Sequence, residues 1–172
     1  MNAFFLLIPI LLIRYGLLWV LNKEALKRAA FIPALIGRER VAFLFYQVST
    51  ILLLVYPFFL KIQMGSAWFV IGLILYSMGT LLYVIATVNY ANPNGNGMNL
   101  KGLYRVSRNP MYVAYFLFFL GCVLLTSSMV LLVAVIVFQV SAHWIILSEE
   151  RWCVKEFGEA YIRYMKTVRR YI

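Results

Sequence analysis

A chain of 172 residues that is 64% hydrophobic and only 13% charged has too little polar side chain to cover a water-soluble domain, so the bilayer is expected to be its solvent. The net charge of +10 would ordinarily suggest nucleic acid, but the sixteen Lys and Arg residues are spread over separate segments instead of forming one patch, and no nucleic-acid partner is expected. No P-loop, GxGxxG after a strand, HExxH or serine elbow is present, which excludes the usual soluble nucleotide-binding folds, and no metal-ligand spacing is found.

Five apolar stretches, at residues 3–21, 41–60, 67–88, 111–125 and 129–147, approach the roughly 20 residues needed to cross a hydrocarbon core of about 30 Å. The expected fold is all-α: a polytopic membrane helical bundle of about five transmembrane helices with a cytoplasmic C-terminal helical tail, one domain over residues 1–172. The first stretch lacks the basic n-region of a signal peptide and carries Arg14 inside its apolar run, so it reads as a mature helix. An ionised side chain there is expensive and by default functional: Arg14, eight residues from Asn22, either snorkels toward the cytoplasm or contacts the substrate head group. The next connection holds Lys23, Lys27, Arg28, Arg38 and Arg40. Pro57 is placed to bend the second span, and Lys61 is the single basic residue of the connection after it. Gly72 and Gly79 let the third span pack closely against a neighbour.

Residues 89–109, NYANPNGNGMNLKGLYRVSRN, form a polar loop with an Asn/Pro/Gly cluster that disfavours helix at its start. Asn109 begins or caps the fourth span and Pro110 suits its first turn, leaving free backbone N–H groups for a carboxylate or hydroxyl. The Thr126-Ser127-Ser128 connection forces an antiparallel hairpin of the fourth and fifth spans. Asn109 and Glu149 are each twenty residues from Met129, so they emerge at the same depth. The tail continues the fifth span past Glu149 and Glu150, breaks at Gly158, and carries an apolar face at Phe157, Tyr161, Tyr164 and Val168. Fourteen of the sixteen basic residues fall on the side of this loop and tail. By the positive-inside rule that side is cytoplasmic and the N-terminus lies outside; the small size points to a prokaryotic inner membrane.

Carboxylates so close to hydrocarbon need partners. Either Arg105 or Arg108 pairs with Glu149 or Glu150 to pin the hairpin, or the acidic residues hold an ammonium or ribose hydroxyls. The run Gly102 to Tyr112, followed by Glu149-Glu150 eight residues before Phe157-Gly158, with Tyr161 beyond, resembles the isoprenylcysteine carboxyl methyltransferase family and its phospholipid methyltransferase relatives. What the resemblance implies is a membrane methyltransferase that binds S-adenosylmethionine under the loop and tail and takes a lipophilic small molecule or lipid from the bilayer. It also implies that Tyr104, Arg108, Asn109, Pro110, Met111 and Tyr112 contact the cofactor, with Asn96, Gly97, Met98 and Asn99 as the preceding loop, Asn89 at the exit of the third span, and Glu149 as the acidic contact. Glu150, behind Glu149 as its alternate, is a catalytic candidate, as is His143, the sole histidine, placed to act as a base.

Two positions depart from the prenylcysteine pattern. Asn109 stands where those enzymes often have histidine, and Ile145 stands where they have an arginine for the substrate carboxylate. Another lipid-like acceptor is therefore favoured over a prenylcysteine. The alternatives are phospholipid head-group N-methylation, an NADPH-dependent sterol or enone reductase, and a small transporter; a homodimer is compatible with each.

Overall fold

The computed structural model of the chain describes residues 1–93 and 97–172. Its described residues form helices and contain no strand. Helix α1 spans Ala3–Leu21, α2 Lys23–Ala30, α3 Arg38–Phe59, α4 Phe69–Ala91, α5 Pro110–Thr126, α6 Met129–Phe157 and α7 Glu159–Thr167. Four of them, α1, α3, α4 and α6, are long and apolar enough to cross a membrane. The fourth expected span, α5, is 17 residues long, about 25 Å at 1.5 Å per residue, and is short for a core of about 30 Å. The chain is a multi-pass membrane protein, and large apolar side chains such as Leu44, Phe45, Val48 and Ile51 on α3, or Val70, Leu73 and Ile74 on α4, stay exposed to meet lipid.

Helix α1 is wound unevenly: 3-10 over Ala3–Leu7, α over Ile8–Leu11, π over Leu12–Leu17 and α again over Leu18–Leu21. Pro9 lies within it and supplies no backbone N–H. Asn22 then ends α1 and starts α2, its side chain accepting from the backbone N–H groups of Glu24 and Ala25 at 3.0 and 3.1 Å. Its own amide donates to Ala91 O at 2.9 Å, which docks α2 on the end of α4.

The seam between α4 and α5 is the closest in the bundle. A Cβ built on Gly79 would meet the backbone of Phe118, and one on Gly121 would meet the backbone of Tyr76, so each helix offers a glycine to the other. From there α5 packs on α6 through the Ser127 turn, where φ is +50°, and α6 packs on α3. Helix α1 crosses α4 and meets α3 at the hairpin end, where the Phe4 and Phe58 rings stack at 4.0 Å and Asn2 donates to Phe58 O at 2.8 Å. At the other end, Arg151 of α6 grips both oxygens of Glu39 on α3 at 2.7 Å. Between these two ties, α1 and α3 flank an interior space.

Candidate functional site

The site begins where α5 does. Arg108 and Glu150 are almost fully buried side chains, and their guanidinium and carboxylate meet at 2.7 Å. The same guanidinium donates to Met165 O and Val168 O at 2.9 and 2.8 Å, and Arg170 reaches the other oxygen of Glu150 at 2.8 Å. Buried charges persist only when paired and further hydrogen-bonded, and this arrangement satisfies that condition from both sides. It also straps the tail across the start of α5. Arg108 N donates to Arg169 O at 2.9 Å, and the Asn109 amide donates to Arg170 O at 3.1 Å. Glu150, expected as a second catalytic carboxylate, therefore has both oxygens occupied and serves as the anchor of the tail; of the two arginines expected to pin the hairpin, Arg108 does so. Asn109 sits at the N-cap position, but its side chain holds the tail instead of capping the helix.

Above this strap lies a cavity of about 700 Å³, within the roughly 300–1,000 Å³ of small-molecule sites. Its polar end is lined by Gly97, Met98, Asn99, Tyr104, Asn109, Met111, Tyr112 and Glu149, so these predicted positions come together. Tyr112 donates to Glu149 Oε1 at 3.2 Å and holds that carboxylate toward α5. Asn99 Oδ1 is buried and has no hydrogen-bond partner among the described residues. Tyr164 of α7 donates to Tyr104 O at 2.6 Å, which closes the tail over the loop. Burial pushes the phenols of Tyr104, Tyr161 and Tyr164 above their ordinary ionisation range, so all three act as neutral donors and acceptors.

Other predicted positions are placed elsewhere. Asn89 accepts from Leu103 N at 2.9 Å and clips the loop to α4 without lining the cavity. Pro110 is buried in the first turn of α5 and shapes the backbone there. His143, the expected base, lies outside the cavity lining, with Nδ1 at 2.9 Å from Tyr171 Oη of the tail. Asn96 lies outside the described residues.

Elsewhere the wall of the cavity is apolar, with Ile10, Leu53, Leu54, Phe119, Phe138 and Ile145. Arg14 of α1 lines the same cavity and donates to Tyr115 Oη at 2.9 Å and to Ala29 O at 3.1 Å. Tyr115 Oη donates in turn to Tyr83 Oη at 2.7 Å. Sequence reasoning missed Tyr83, Tyr115 and Tyr46 as lining or supporting groups. Their signal was present: hydroxyls inside apolar spans, with Tyr115 one helical turn after the predicted Tyr112.

The order of these parts, a polar loop, a Pro-initiated helix, a tight hairpin and a buried acidic pair, runs through the segment that comparison identifies. Residues 60–160 match the family described as phospholipid methyltransferase, which is more than half of the chain. The chain belongs to the phospholipid methyltransferase family. No curated protein and no solved structure matches it significantly. The family match spans α4, α5 and α6, with Glu149, Glu150 and Asn109 inside it, and leaves α1 with Arg14 outside. A membrane methyltransferase acting on lipid-like molecules is what this membership supports.

Proposed function

We propose that the protein transfers a methyl group from S-adenosylmethionine to a lipophilic acceptor that reaches the cavity from the bilayer. One observation carries the reading: within a methyltransferase family, a single cavity joins a polar end at Asn99, Tyr112 and Glu149 to an apolar end between α1 and α3. Polar cofactor and lipid acceptor thus have separate approaches to one space.

The residues present fit the cofactor. Asn99 Oδ1, which has no partner among the described residues, and the Glu149 carboxylate are acceptors suited to amino and ribose hydroxyl donors, and Glu149 also balances a cationic ligand. Bound there, S-adenosylmethionine would supply an electrophilic methyl on a sulfonium. The protein's own part is positioning and exclusion of water: Tyr112 orients Glu149, the Arg108–Glu150–Arg170 cluster holds the tail down, and α7 covers the loop. Fourteen basic residues at this end support a cytoplasmic placement. Ile145, buried in the cavity wall, offers a prenylcysteine carboxylate no charge, which favours another lipid acceptor.

Calorimetric titration of the detergent-purified protein with S-adenosylhomocysteine tests the reading. Saturable binding is expected, weakened at least about tenfold, which is about 1.4 kcal/mol, by Glu149→Ala. A folded wild type that ignores this ligand and binds NADPH would overturn it.

A further inference from the structure

Arg14 falls inside the π-wound segment Leu12–Leu17 of α1, a wider turn of the kind that concentrates at functional sites. It donates to neutral oxygens, Tyr115 Oη and Ala29 O, with the Tyr83 hydroxyl also beside it, and its five N–H groups are not all used by these partners. None of the ion pairs among the described residues includes it. Ile10, Leu53, Leu54 and Phe119 share the cavity wall with it, as do the uncharged Tyr46, Gln47 and Thr50. Arg14 is half-buried, and Glu149, in the same wall, acts on it through space without an ion pair. An ionised side chain at this depth of a membrane-spanning helix is costly unless a counter-charge meets it directly.

Tyr115 connects this cation to the rest of the site. It donates to Tyr83, which leaves its own oxygen lone pairs for Arg14, and it stands one turn from Tyr112, the residue that holds Glu149. Two tyrosines one turn apart on α5 thus hold the carboxylate of Glu149 and the guanidinium of Arg14 in the wall of one cavity. We infer that Arg14, steadied by Tyr115, is the subsite for an oxyanion on the head group of the amphiphile, a carboxylate or a phosphate, and that it determines which amphiphiles the cavity admits. The inference rests on the proposed function only in treating that amphiphile as the methyl acceptor. An oxyanion offers acceptors to the remaining N–H groups and meets the charge at contact distance, which Glu149 does not; an ammonium is repelled, and an alcohol brings no charge.

The test is direct binding to the full chain in neutral detergent, with palmitate, hexadecyl phosphate, hexadecylamine and hexadecanol as probes on identical tails. At least one anion is expected to bind about tenfold or more tighter than the amine and the alcohol. That advantage should vanish in Arg14→Gln while S-adenosylhomocysteine binding persists. Which anion leads identifies the oxyanion. An amine or alcohol that binds as tightly as both anions would overturn the inference, as would an anion preference that survives in folded Arg14→Gln. Should Arg14→Gln not fold, the wild-type ranking decides alone. An intact anion ranking without S-adenosylhomocysteine binding would sink the proposed function and leave the oxyanion subsite standing.

Discussion

Adjacent on α6, Glu149 and Glu150 meet different partners: the first accepts one hydrogen bond from Tyr112, the second is gripped by Arg108 and Arg170. Removing the second leaves two guanidinium groups beside hydrocarbon, one of them almost wholly buried. Glu150→Ala should therefore cost about 3–5 kcal/mol, read as a fall in the unfolding temperature of the purified protein. The exposed Lys27–Glu24 pair sets the contrast, and Lys27→Ala should leave that temperature unchanged. At His143 the expectation is the reverse of a catalytic one. His143→Ala should bind S-adenosylhomocysteine within about twofold of wild type, a difference of about 0.4 kcal/mol, because the imidazole meets Tyr171 outside the cavity.

At the scale of elements, the glycine contacts and the tail make the strongest demands. Gly79→Ala and Gly121→Ala each drive a methyl into backbone on the facing helix, and each should destabilise the protein by about 1–3 kcal/mol in the same unfolding assay. Deleting residues 168–172 removes Arg170 from Glu150, Val168 O from Arg108 and Tyr171 from His143; it should abolish S-adenosylhomocysteine binding without removing a residue of the cavity wall. Much of this was legible in the sequence. Hydropathy located every span to within about three residues at its start, the hairpin put Asn109 and Glu149 at one level, and Gly158 ends α6 with φ of +56° as its position suggests. What was not legible depends on tertiary partners. The π winding around Arg14 has no local marker, α2 is too polar for a hydropathy reading, and the role of Glu150 is set by Arg170, twenty residues further on.

For the whole molecule, the closed end depends on neutral phenols. Tyr104, Tyr161 and Tyr164 are buried at the loop and tail, and burial holds each proton on above its ordinary value of about 10. Above that pH the unfolded chain has lost protons that the folded chain retains, so stability falls as pH rises. The unfolding temperature should hold on this account up to about pH 9 and drop as pH rises through about 10 and beyond, and replacing Tyr164 by Phe should lessen the drop. The glycine seam of α4 and α5 has a mechanical consequence. Helices interlocked backbone to backbone cannot slide, and α3 is held along α6 and by the Arg151–Glu39 pair, whereas the contacts of α1 with α3 among the described residues centre on Phe4 and Phe58. The molecule thus divides into a fixed wall and a movable one, and widening of the cavity to admit a bulky chain falls to α1, whose amides should exchange with solvent deuterium ahead of those along the seam.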